Sequence, residues 1–349
     1  QATTLNELTT DADAVLLYRV EPRGERAHVS LMLYVRGQAE ASNVAAVVDM
    51  PGVVQRDSDK VTGLALFGGL IVLGGLLPIL IYLARHGTLG ASVLTELQTV
   101  NSSELLALTT SLFTVKPIYL FLCVAILIAI WGRDSLSARS LFWGISALLT
   151  GELICGATFF VFRRELIVSE HIHSYGMMLE FSFIVFAQID LLHHRAVQTQ
   201  IRIQAAFAFI AAMGIFASFL PLFVSPIPSA YHADIYGFPY VYARFEFNLW
   251  VESRALPVAS LCFFIMALFA IIRSKQTDLP NVAKIFLSIG TGLLTFSILR
   301  LSLGSLFAER LVWFEFWEEM TQLIIISTIA FLLWQFKREW ILERIALFQ

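Results

Sequence analysis

A carboxylate stands in the middle of an apolar run at Thr150-Gly151-Glu152-Leu153-Ile154-Cys155-Gly156. Ionised in hydrocarbon, such a group is costly unless it is paired, hydrated or protonated. Glu152 therefore has two readings. It takes up a proton or a ligand at a polar cavity, or it hydrogen-bonds a neighbouring helix and serves packing. Further charge lies inside apolar sequence at Glu180 and Arg300, and Glu318-Glu319 opens the last run. Opposite charges at similar depth invite an ion pair, and Arg300 with Glu180 or Glu319 is the expected one. The alternative is an arginine that snorkels to the interface without a fixed partner.

The histidines raise a metal site as a second chemistry. Glu170-His171-Ile172-His173 places two imidazoles two residues apart, a spacing that chelates a metal ion on an extended backbone. His232 and Asp234 lie in a later polar segment and could complete the set. No HExxH or CxxC pattern accompanies them, and solvated interfacial histidines are the plainer reading. GxSxG and a phosphate-cradling loop are absent from the sequence, and the seventh run has no lysine deep inside it to hold retinal. A metal ion at His171, His173, His232 and Asp234 is thus the one cofactor the residues suggest.

The elements that must position these groups are long apolar helices. The chain is 57% hydrophobic and 15% charged, with a mean hydropathy of +0.73. A soluble domain of this length needs more polar surface. Apolar runs of about 18 or more residues are long enough to cross a hydrocarbon core as helices. The expected spans are Val61–Ala84, Val115–Ile130, Leu141–Phe162, Ser174–Leu192, Ile203–Val224, Leu256–Ile272, Ile285–Leu303 and Thr321–Phe336. The expected fold is an all-α polytopic membrane protein of about eight transmembrane helices, with the lipid bilayer as its solvent. A net charge of −3 argues against a nucleic-acid binder, which normally shows a basic face.

Three regions follow from this map. Residues 1–60 form a small extramembrane segment. In it Val15–Val20 and His28–Val35, rich in β-branched and aromatic residues, flank Glu21-Pro22-Arg23-Gly24-Glu25 and read as a β-hairpin. Residues 61–336 form the transmembrane domain. Residues 337–349 read as an amphipathic continuation of the last helix, since no glycine or proline stops it. That extension and the N-terminal segment are the expected docking points for a protein partner.

Loop charge sets the orientation. One set of loops and the C-terminal end hold Arg133, Arg139, Arg195, Arg202, Arg273, Lys275, Lys284, Lys337, Arg338 and Arg344. The other set holds Arg85, Lys116, Arg163, Arg164, Arg244, Arg254 and Arg310. The bias places both termini in the cytoplasm, with a bacterial inner membrane as the expected location. Trp131, Trp143, Trp334 and Trp340 then mark the inner interface, and Trp250, Trp313 and Trp317 the outer one. The outer loop containing Tyr231–Tyr242 mixes aromatic and polar groups and could lid a cavity.

The leading functional expectation is a receptor-like, signal-transmitting protein, not an enzyme, with an outward-facing polar cavity and a cytoplasmic C-terminal helix. Its ligand or proton site would draw on Glu152, Glu180, Arg300 and Glu319. A proton- or ion-coupled transporter using Glu152, and a structural subunit of a larger membrane complex, remain the alternatives.

Overall fold

From Val115 onward each apolar run becomes a helix, and most of these helices extend beyond their apolar stretch, in a computed structural model of the chain. The structure describes residues 14–23, 26–35, 42–49, 76–86, 97–133, 135–199, 201, 203–274 and 279–346. The chain divides into two compact units, Gln1–Gly69 and Leu70–Gln349.

The first unit contains the expected hairpin, but Glu21, Pro22 and Arg23, expected in the turn, lie in its first strand. Strand β1 (Ala14–Arg23) pairs antiparallel with β2 (Arg26–Val35), with Ala14 opposite Val35 and Arg23 opposite Arg26. A third strand, β3 (Ser42–Asp49), adds to the other edge of β2. Its Val44, Val47 and Val48 favour the pleated conformation, but the sequence reading left this strand out.

In the second unit, α1 (Leu76–His86) is the described end of the expected first span. The remainder of Val61–Ala84 lies outside the described residues. Strand β4 (Leu97–Thr99) leads into α2 (Ser102–Ile130). Then come α3 (Leu136–Phe162) and α4 (Ile167–Gln198). Helix α5 (Gln204–Ala217) is prolonged by a 3₁₀ turn to Phe223. A hairpin of β5 (Ser229–Ile235) and β6 (Phe238–Arg244) precedes α6 (Glu246–Arg273). The chain ends in α7 (Asn281–Leu306), α8 (Leu311–Phe336) and α9 (Arg338–Ala346). Among the described residues, the seven helices α2 to α8 are long and apolar enough to cross a membrane. Helix α7 is the innermost, with 61% of its most apolar stretch buried against 28% in α3, α5 and α8.

Several expected boundaries are corrected. Helix α2 begins at an Asn101 cap rather than near Val115. Asn101 Oδ1 accepts from the Glu104 N–H at 3.0 Å, while Glu104 Oε2 accepts from the Asn101 N–H at 2.9 Å. This reciprocal cap satisfies two backbone donors and draws polar Ser102 to Thr110 into the helix. Helix α4 starts before Glu170, so the two histidines are helical rather than extended. Helix α8 starts at Leu311, which brings Glu315, Glu318 and Glu319 inside it. The last helix does not run straight through. Lys337 leaves helical geometry (φ −139°, ψ 36°), and the chain resumes as α9.

Helices α3 and α4 pack with almost no side chain between them at one level. A Cβ at Gly176 would lie 2.7 Å from the Ala147 carbonyl oxygen, and one at Gly151 3.2 Å from the His173 Cα. Glycine permits this approach, and it sets Glu152 directly against α4. The β5–β6 hairpin closes through Tyr236 (φ 53°) and Gly237 (φ 83°), and Asp234 Oδ1 accepts the Gly237 N–H at 2.7 Å. Two consecutive residues at positive φ match the twist of the flanking strands. Strand β4 pairs parallel with β5 to complete the sheet.

Candidate functional site

Alternation along β6 sends Tyr240 and Tyr242 to the same, buried face. The link from α3 to α4 runs beside this strand. Arg163 ends α3 in the left-handed region (φ 53°), and the Glu165 N–H donates to the Val241 carbonyl at 2.9 Å. Glu165 is thereby held against Tyr240, whose hydroxyl lies 3.4 Å from Glu165 Oε2. These groups, with side chains from α2, α3, α4 and α8, enclose a cavity of about 370 Å³.

Two helices present charged groups through locally widened turns, one at the cavity wall and one behind it. In α2, Ser111–Val115 is a π-helical turn immediately before Lys116-Pro117. In α6, Val251–Ala255 is a second one, before Leu256-Pro257. Proline lacks an N–H and crowds the carbonyl four residues earlier, which favours a switch of register. Such bulges commonly mark functional positions. Here the first sets the position of Lys116, which follows it, and the second contains Glu252.

The charges form one continuous system. Lys116 Nζ lies 2.7 Å from both Glu152 Oε2 and Glu319 Oε1. The Glu152 contact is an ion pair off hydrogen-bond alignment, so Oε2 has no hydrogen-bond donor. His173 Nε2 is 3.0 Å from Glu152 Oε1, and the Tyr119 hydroxyl donates to Glu319 Oε2 at 2.5 Å. His173 Nδ1 sits 3.8 Å from Glu170 Oε2, which leads to Arg300. That guanidinium donates to Glu170 and Glu318, and through Nε to Glu252 Oε1 at 2.9 Å. Arg244 meets the other oxygen of Glu252 at 2.7 Å. Both arginines stack on Phe314, at 4.9 Å and 4.3 Å from its centroid. Charges taken out of water are tolerated only when paired and hydrogen-bonded, and this system largely meets that condition.

Glu165 lies between α3 and α4, outside the apolar helices. Burial, reinforced by the nearby Glu170 carboxylate, pushes its pKa up to about 7, against a hydrogen bond from Ser169 that acts the other way. It can therefore hold or release a proton near neutrality. Glu315 accepts a hydrogen bond from the Tyr231 hydroxyl.

The structure brings Glu152 and Glu319 together at the cavity, with Arg300 just behind it. It does not pair Arg300 with Glu180 or Glu319 as expected. Glu180 stands about 15 Å further along α4 than Glu170, which is the residue Arg300 reaches. Glu180 is fully buried, and neither of its oxygens has a hydrogen-bond partner among the described residues. The four candidate metal ligands are not brought together either. His171 and His173 diverge around a helix, His171 against the Phe247 ring and His173 toward Glu152. His232 is exposed on β5, and Asp234 is occupied by the hairpin turn. Among the described residues no group of three or more such side chains could hold a metal ion.

Sequence reasoning missed Glu165, Glu252 and Glu315, and it assigned Lys116 and Arg244 to loops. The spacing of Glu315, Glu318 and Glu319, which places three carboxylates on one helical face, was the available signal. Glu252 gave none. Compared with known proteins, the chain matches no family, no curated protein and no solved structure.

Proposed function

We propose that this chain is an integral membrane protein of receptor type, in which a ligand entering the cavity alters α9 through α2 and α8. The observation that carries this reading is a shared pair of helices. Lys116 of α2 and Glu319 of α8 are joined at the cavity, and α9 packs on the same two helices at their far ends. Arg133, just past the end of α2, pairs with Glu343 at 2.5 Å and covers the Trp340 ring at 5.1 Å. From Lys116 to Arg133, and from Glu319 to Lys337, the helices rise about 26 Å, close to a bilayer core of about 30 Å. A ligand that competes for Lys116 or Glu319 would loosen one helix from the other and move the platform under α9.

Loop charge supports a cytoplasmic α9. Lys116 and Arg244 on the cavity side and Lys284 on the α9 side are engaged in buried ion pairs, and setting all three aside leaves nine Lys and Arg on the α9 side against five.

The test places a reporter on α9. In a Cys262→Ser background, Leu342→Cys offers an exposed thiol. Its maleimide labelling rate in membranes should change at least threefold when Lys116→Gln or Glu319→Gln cuts the link. Equal rates in all three proteins would discard the relay.

The enclosed Glu180, with no hydrogen-bond partner among the described residues, favours one second reading, proton-coupled transport with Glu152 as the carrier carboxylate. Glu152→Gln should then abolish pH-driven flux in proteoliposomes; undiminished flux would exclude that role.

A further inference from the structure

Six carboxylates line the cavity, Glu152, Glu165, Glu170, Glu315, Glu318 and Glu319, against two basic side chains, Lys116 and His173. The bases are already committed. Lys116 is shared by Glu152 and Glu319, and His173 by Glu152 and Glu170. Arg300, from behind, is occupied by Glu170, Glu252 and Glu318. Glu165 and Glu315 receive only hydroxyl groups, from Ser169 and Tyr240 and from Tyr231. Neither has a cationic partner among the described residues. The cavity thus has unmet demand for positive charge beside aromatic rings, which attract ammonium groups through their faces.

One side of the cavity has a different character. Between α2 and α3 the cavity is bordered by Phe113, Leu153 and Phe160, which are 49%, 59% and 71% exposed. Gly156 lies among them, and a Cβ there would meet nothing within 4 Å. All four belong to helices apolar enough to sit in lipid, so this side opens toward acyl chains. A volume of about 370 Å³ is at the small end for ligand pockets, roughly 300–1,000 Å³. It holds a headgroup and the first part of a chain, and the remainder must leave through the open wall.

We propose that the cavity binds a cationic amphiphile. Its ammonium group sits between Glu165 and Glu315 against Tyr240 and Tyr242, and its alkyl chain passes out between α2 and α3 into the bilayer. This rests on the receptor reading for its consequence at α9, but the ligand class stands on the cavity alone. An anionic amphiphile would meet the same apolar exit and an uncompensated acidic interior.

Binding releases a proton. Glu165 is faced by Glu170 and His173 of α4, Lys116 of α2, Cys155 of α3, Glu315 of α8, and the Tyr231 and Tyr240 hydroxyls of the sheet. A bound ammonium favours its ionised form, so affinity should rise between pH 6 and pH 8 for a permanently charged ligand.

The experiment measures saturable binding of radiolabelled dodecyltrimethylammonium to the full chain in phosphatidylcholine nanodiscs, with empty nanodiscs subtracted. One saturable site is expected, weakened at least tenfold in the Glu165→Gln/Glu315→Gln double variant. Dodecyl sulfate should not compete, and tetramethylammonium, lacking the chain, should compete at least a hundredfold more weakly. Gly156→Phe, which fills the open wall and leaves both carboxylates, should reduce binding of the long-chain ligand. Absence of saturable binding overturns the proposal, as does dodecyl sulfate competing as well as the ammonium or undiminished binding in both variants. Binding without any change at Leu342→Cys would instead refute the relay and leave the ligand class intact.

Discussion

Arg300 is held by carboxylates from three helices, Glu170 of α4, Glu252 of α6 and Glu318 of α8. Its planar fork serves several acceptors at once, which a lysine ammonium cannot match. Removing it strands three buried acids, and breaking such a system costs about 3–5 kcal/mol. Arg300→Met should therefore lower the thermal midpoint sharply in detergent, and Arg300→Lys should recover only part of the loss. A second residue-scale expectation concerns Glu165, whose pKa is raised to about 7 from an ordinary value of 4.5. Below about 4.5 it is protonated in both folded and unfolded chains. Between about 4.5 and 7 the folded chain holds a proton that the unfolded chain has lost, so stability falls as pH rises through this window. Above 7 the contribution is level again. Glu165→Gln should flatten this slope in unfolding measured at pH 5 and pH 7.5; an unchanged slope would assign it to other groups.

At the scale of elements, the cavity depends on two departures from regular helix and one close contact. The π turns before Pro117 and Pro257 set the directions of Lys116 and Glu252. Without the extra residue in each turn, the side chains that follow would rotate by about 100° and lose their partners. The close contact is between α3 and α4, where Gly176 meets the Ala147 carbonyl. Gly176→Ala should force these helices apart and destabilise the protein by about 1–3 kcal/mol, the usual range for overpacking. Thermal unfolding checks this, and an unperturbed midpoint would mean the pair has slack the structure does not show. The Asn101 cap belongs to the same scale. It lengthens α2 beyond its apolar run and so brings the start of this helix beneath the β4–β5–β6 sheet.

For the whole molecule, the cavity and α9 lie at opposite ends of α2 and α8, and what matters is the link between the two ends. Arg133 and Glu343 are partly exposed, with side chains 24% and 60% accessible, and exposed ion pairs contribute about 0–1 kcal/mol. Arg133→Ala should thus leave stability nearly unchanged. It should nonetheless erase the dependence of Leu342→Cys labelling on the Lys116–Glu319 link, because α9 would no longer follow α2. Retention of that dependence would place the coupling in α8 alone.

Hydropathy determined that the second unit is helical and suited to lipid, because apolar runs of spanning length leave the backbone few other ways to satisfy its hydrogen bonds. Glu152 was visible for the same reason: a carboxylate inside such a run is costly unless it is paired, hydrated or protonated. The β1–β2 pairing was legible from its residue types and its turn. Helix ends were not, since Asn101, Glu170 and Glu315 lie in polar sequence that hydropathy assigns to loops. The pairing of Arg300 also needed the fold. Hydropathy places a residue only roughly along its own helix, and the axial offset between helices, which brings Glu170 rather than Glu180 about 15 Å away level with Arg300, is set by contacts between helices. Only tertiary structure joined Lys116, Glu152, His173 and Glu319, four residues spread over 204 positions of sequence, because ion pairs between helices carry no signal in the order of the chain.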